Sequence, residues 1–169
     1  MTEQATTADL DQQFESAGGT VRIPGERGEL VILHSVLMIR RLADREELSL
    51  GLDVVIDDPS RSVRYRNRPI TVADLVNLRS FLSAAMTEFH PEVSVPAFQS
   101  ESAGLVMAVV ASSELSVLLE VGVVEDIDEP DSEVDALRLD VCRVALGEPV
   151  DIADSMIYAF ATDDEQAGQ

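Results

Sequence analysis

Residues 47–57 alternate strictly: Leu48, Leu50, Leu52, Val54 and Ile56 interleave with Glu47, Ser49, Gly51, Asp53 and Asp57, and only Val55 breaks the two-residue period. Alternation puts every second side chain on one face, so this segment predicts a strand half-buried against a core. Residues 57–61 carry turn chemistry, and residues 62–68 return with Val63 and Tyr65 on one face and Arg64, Arg66 and Arg68 on the other. A hairpin with Asp57 opposite Ser62 sets Val54 against Tyr65 and Asp53 against Arg66. Apolar then meets apolar and charge meets countercharge.

The rest of the chain adds strands and two helices. Residues 20–23 form a short strand that stops at Pro24-Gly25, and residues 30–39 are a nearly unbroken Val- and Ile-rich run, read as a buried strand with a helix as the alternative. Thr71 is the predicted N-cap of a helix over 72–89, with Asp74 at its third position and Val72, Leu75, Leu78, Leu82, Ala85, Met86 and Phe89 at helical spacing. Further strands are predicted at 92–98, 105–111, 115–124 and 137–144. The third of these presents Leu115, Val117, Leu119, Val121 and Val123 on one face and Glu114, Ser116 and Glu120 on the other. Residues 105–111 are apolar on both faces and so read as a central strand. A closing helix over 150–161 has Asp151 and Asp154 near its positive end and Ile152, Ala153, Met156, Ile157 and Phe160 to bury. The expected fold is a single α+β domain over 19–162, mainly an antiparallel sheet of six to eight strands with two helices. A mobile arm over 1–18 and a tail over 163–169 flank it, and no internal repeat stands out.

Charge changes this picture more than size does. The chain has 169 residues, 46% of them hydrophobic, enough for one core that buries roughly 70% of the unfolded surface. Its formal charge of −20 is uneven: residues 1–90 carry 10 Arg against 14 acids, and residues 91–169 carry 2 Arg against 18 acids. Such a field repels nucleic acid and anionic membrane and attracts basic proteins or divalent cations, although the same charge serves solubility equally well. All twelve basic residues are Arg, which excludes Lys-dependent phosphate loops, Schiff-base enzymes and the usual kinase machinery. One cysteine, an acidic N-terminus and no apolar run of about 20 residues predict a cytoplasmic protein outside the membrane.

The densest charge lies in residues 125–135, EDIDEPDSEVD, seven carboxylates in eleven residues between two predicted strands. As a calcium loop it fails. Counted from Asp126, Pro130 takes the fifth position, Asp131 stands where the sharp turn needs Gly, and Leu137 fills the position that requires a bidentate carboxylate. The stretch is therefore read as a partner-binding surface made by Glu125, Asp126, Asp128, Glu129, Asp131, Glu133 and Asp135, joined by Glu114 and Glu120.

Other candidates read as structure. His34 lies inside an apolar run and is expected to be a hydrogen-bonded core residue, and His90 a ring at a helix C-terminus. Cys142 reads as a small packing residue, and the Arg64, Arg66, Arg68 stripe as a salt-bridged sheet face. The chain has no nucleophile elbow, no H-E-x-x-H and no dinucleotide fingerprint. No catalytic residue, cofactor or metal site is expected, and the protein is not expected to be an enzyme. Carboxylate density alone motivates a metal-assisted enzyme as the weakest alternative.

Residues 48–86, LSLGLDVVIDDPSRSVRYRNRPITVADLVNLRSFLSAAM, combine alternating strand, hairpin return and Leu-spaced helix. In this they resemble small bacterial immunity proteins that guard against wall-associated and other polymorphic toxins, and residues 105–160 are in keeping with that architecture. The resemblance implies a protein that binds and blocks a toxin's active surface in the producing cell, and it assigns no binding residue. The expectation is thus an intracellular acidic protein with a basic protein partner. Its alternative is a scaffold subunit that self-associates and uses the charge for solubility.

Overall fold

The computed structural model describes residues 19–42, 45–88 and 95–167, with side chains described except at 34–49 and 159–167. Eight strands form two four-stranded antiparallel sheets. The first sheet is β1 (Thr20–Pro24), β2 (Glu29–Leu42), β3 (Arg45–Asp58) and β4 (Arg61–Ile70), followed by helix α1 (Val72–Thr87). The second is β5 (Phe98–Ser100), β6 (Leu105–Ser112), β7 (Ser116–Val124) and β8 (Val134–Cys142), followed by a 3₁₀ turn (Arg143–Leu146) and helix α2 (Gly147–Ala167). Each sheet is a meander in chain order, so the fold is α+β and is built as two successive ββββα units.

That repetition corrects the sequence reading, which saw none. Residues 48–56 (LSLGLDVVI) and 115–123 (LSVLLEVGV) agree at four of nine positions and, apart from Leu115 in the turn before β7, lie in the third strand of each unit. Leu50, Leu52, Val54 and Ile56 in one, and Val117, Leu119, Val121 and Val123 in the other, are all buried. The inner faces of both sheets and the apolar stripes of both helices, including Leu75, Leu78, Leu82 and Met156, join one core. Burying them removes apolar area from water at roughly 25 cal/mol per Å². Helix α1 begins at the predicted N-cap, Thr71, which closes a capping box with Asp74: Thr71 Oγ1 accepts from the Asp74 amide and the Asp74 carboxylate accepts from the Thr71 amide. At its other end the buried Arg143 donates to the carbonyls of Ala85 (2.9 Å) and Glu88 (3.1 Å), where cationic charge suits the helix dipole. A third bond from Arg143, to the Ser113 carbonyl at 2.8 Å, ties the β6–β7 turn to this corner.

The β3–β4 hairpin keeps the predicted pairs Asp57 with Ser62 and Val54 with Tyr65, but Leu52 pairs with Arg68, so Arg66 and Asn67 together oppose Asp53. This is a bulge, one extra residue on β4, and Asn67 takes it at φ 53°, a region Asn tolerates better than most residues. Asp53 stabilises it by accepting from the Asn67 amide (3.0 Å) and from Arg64 Nε (2.8 Å), so its ionic partner is Arg64 rather than Arg66. The extra residue also reverses the alternation beyond it. Arg68 turns inward and is buried, while Arg64 and Arg66 stay exposed, so the expected three-arginine stripe does not exist.

Other differences are local. Residues 95–97 are not strand, and β5 starts only at Phe98. Helix α2 starts three residues before its predicted start and runs through Ala167, into the stretch read as a tail. Leu115 sits in the turn before β7 and is 76% exposed, and Cys142, at the end of β8, is exposed rather than packed. Strand β6 is internal to its sheet, but only its inner face is covered, leaving Val106 37% and Val110 45% exposed. The expectations for the arm at 1–18, for the side chain of His34 and for His90 fall outside the described residues.

Candidate protein-binding surface

Strands β7 and β8 are joined by residues 125–133, a loop held by its own backbone. The Glu125 amide donates to the Glu133 carbonyl (2.9 Å) across its neck, and the Ser132 amide to the Glu129 carbonyl (3.2 Å) near its tip. Asp126 organises the entry: its amide donates to Ser132 Oγ (2.8 Å) and its carboxylate accepts from the Asp128 amide (2.9 Å), an Asx turn. The side chains of Glu125, Asp126, Asp128, Glu129, Asp131 and Glu133 are all exposed.

The loop is anchored from the other sheet. Arg68 Nη2 donates to the Glu125 carbonyl (2.7 Å) and Nη1 to the Ala103 carbonyl (3.2 Å), and its guanidinium lies 5.1 Å from the Tyr65 ring centroid. Burial pushes the Arg68 pKa down, while Tyr65 and Asp126 act to raise it. Beside it Gly104 has φ 63°, and its carbonyl accepts from the Val124 amide (2.8 Å). A Cβ on Gly104 would lie 2.8 Å from Ile127 Cγ2 and 2.9 Å from Arg68 Nη1, so the loop's one aliphatic side chain between acids packs where only glycine fits.

Asp135 is different in kind from the loop acids. It lies within β8, is buried, accepts from the Tyr65 hydroxyl (2.6 Å) and is ion-paired with Arg61. It stitches β4 to β8 and is not offered to solvent. Glu114 is exposed but sits in the β6–β7 turn, about 30 Å from the loop along β7 at a strand rise of about 3.3 Å per residue. Glu120 lies between them on the outer sheet face and is paired with Arg138 at 3.0 Å. The nine acids singled out from the sequence therefore divide into six on one loop, one buried and two elsewhere. Sequence reasoning missed Arg68, Tyr65 and Gly104, which hold the loop in place; Gly104 beside the short β5 was the one visible signal.

Burial, and then the hydrogen bond to Asp135, push the Tyr65 phenol above its ordinary range. Because the folded value is raised, this contribution to stability is intact below the unfolded value of about 10 and is lost as pH climbs above it. In a Tyr158→Phe background Tyr65 is the one remaining tyrosine. Its phenolate absorbance is expected to appear only together with loss of the far-ultraviolet circular dichroism signal. Ionisation while the fold is intact would show that Tyr65 is not held as described.

Among the described residues, no three His, Cys, Asp or Glu side chains converge to hold a metal ion, and no helix is long and apolar enough to cross a membrane. Fold and surface together define an α+β domain of two four-stranded sheets that carries an anchored acidic loop. No family model matches the chain, and no curated protein does. Among solved structures, "Structure of the plant transcriptional regulator PBF-2" is similar with a TM-score of 0.43 and 11% identity, over 85% of this chain and 82% of that one.

Proposed function

We propose that this chain is a binding protein that engages a basic protein partner through loop 125–133. The observation that supports this most is the exposure of six carboxylates on a loop whose backbone is fixed by internal hydrogen bonds and by buried Arg68. A fixed loop loses little entropy on binding, and clustered like charge steers a basic partner toward one place on the surface. Six like charges on nine residues also repel one another, and a cationic partner relieves that repulsion. The resemblance of residues 48–86 to bacterial immunity proteins makes a cytoplasmic toxin-neutralising role the particular form of this reading.

The test uses a hexa-arginine peptide and the variant E125Q/D126N/D128N/E129Q/D131N/E133Q, in which the D126N change keeps an acceptor for the Asx turn. The peptide is expected to perturb the amide resonances of residues 125–133, and affinity is expected to fall at least about tenfold in the variant. The parent should show the same loss as the screening length shrinks from about 10 Å at 0.1 M salt to about 3 Å at 1 M. Equal binding by parent and variant, or perturbation centred elsewhere, would refute the assignment.

A further inference from the structure

We propose that the outer face of the second sheet, beside the acidic loop, is a docking surface for a basic amphipathic helix of a partner protein. This rests on the acidic-loop reading and adds to it the apolar half of the contact. Leu75, Leu78, Leu82 and Ala85 of α1 and Met156 of α2 are buried in the core, on the inner side of the sheets. The opposite face of β6–β8 is left with Val106 37%, Val110 45% and Val134 58% exposed. In the pairing register Val106, Gly122 and Ala136 form one row across three strands, and Val124 pairs with Val134 in the last row before the loop. Gly122 leaves room in that row for its neighbour: Val134 Cγ1 leans over it, 3.1 Å from where a Cβ on Gly122 would stand. An exposed patch of Val106, Gly122, Ala136 and Val134 without long side chains can take the apolar stripe of an amphipathic helix, which spans about 100°.

Charge selects among occupants. The row of Val124 and Val134 leads directly into Glu125 and Glu133, so a helix seated on it lies against the six exposed acids. Among the described residues the face carries one basic side chain, Arg138, and Glu120 holds it at 3.0 Å. It is therefore poorly suited to a second copy of a chain whose formal charge is −20. An occupant with Leu on one side and Arg on the other meets both requirements at once.

The full chain is titrated with a Leu/Arg amphipathic helical peptide of about 18 residues, with a scrambled peptide of the same composition, and with a Leu/Glu counterpart, at about 0.15 M ionic strength. The Leu/Arg helix is expected to bind at least about tenfold more tightly than the scramble, and the Leu/Glu helix not at all. V106S/V134S is expected to lose that advantage with unchanged circular dichroism and Tm. Should it fail to fold, V134R, at the most exposed of the three valines, is expected to reject the same peptide by charge. If these variants bind as the parent does while the loop-neutralised variant does not, docking on the sheet is overturned and the acidic-loop reading stands. If neither class of variant weakens binding, both fail. Equal binding of helix and scramble, or no binding, overturns the proposal. A stable homodimer that V106S/V134S dissolves would make a second copy the occupant and overturn it too.

Discussion

Replacing Gly104 with valine is expected to destabilise the fold by about 2–5 kcal/mol, the largest effect of any single change outside the core. Two costs combine. At φ 63° a β-branched residue meets the left-handed penalty of about 1–2 kcal/mol. The new Cβ alone would stand 2.8 Å from Ile127 Cγ2, 2.9 Å from Arg68 Nη1 and 3.1 Å from Val124 Cβ, and the valine methyls would add to that overlap. Because Ile127 is the neighbour that can yield, the acidic loop should be displaced before the sheets separate. Urea unfolding should report the lost stability, and hydrogen exchange should rise first at the Val124 amide, which donates to the Gly104 carbonyl. A valine variant as stable as the parent would mean that this corner is not packed as described.

Substituting Arg68 by methionine is expected to cost about 2–4 kcal/mol. Methionine replaces the aliphatic stem but leaves the buried Ala103 carbonyl without its donor, at about 1–3 kcal/mol, and the part-buried Glu125 carbonyl without its own, at less because water can reach it. Relief from holding a desolvated cation offsets part of this, which is why the total stays below the sum of two lost bonds. Loop residues 125–133 should become mobile in the variant, visible as lowered order parameters, and partner affinity should fall through faster dissociation. A methionine variant that loses stability but keeps an ordered loop would separate the anchor from the surface it is proposed to hold. Since Arg68 Nη1 lies where a Gly104 side chain would go, the two substitutions share one contact. Their double variant is therefore expected to be less unstable than the two costs added, a coupling that a double-mutant cycle reads directly.

Much of the fold was legible because the signals are local. The two-residue period of 47–57 and 115–124, the turn at 57–61 and the Thr71 N-cap each depend on residues a few positions apart, and each lies where expected except Leu115, which falls in the turn before β7. The bulge at Asn67 was not legible. It depends on Asp53, fourteen residues away, accepting the Asn67 amide, and nothing within β4 announces the extra residue. One unread residue then reversed the side of Arg68, turning an expected surface cation into a buried anchor. Asp135 was misplaced for a related reason. In sequence it is the last member of an acidic run, whereas in the fold it is the second residue of β8, pointing at Tyr65 and Arg61 some seventy residues away. The repeat escaped notice because the two units share a burial pattern more than residue identities.

By itself the sequence determined that the chain is acidic, that it carries no lysine, that alternating strands outnumber helices, and that seven carboxylates crowd into residues 125–135. These are properties of composition and of spacing within one element, and they need no partner segment to be true. Only the tertiary structure decided that the strands divide into two sheets, that six of those acids face water while the seventh is buried, and that an apolar sheet face lies next to them. The physical reason is that burial and countercharge are supplied from across the core. Whether a carboxylate is a surface or a strut depends on which distant arginine or tyrosine the fold brings to it.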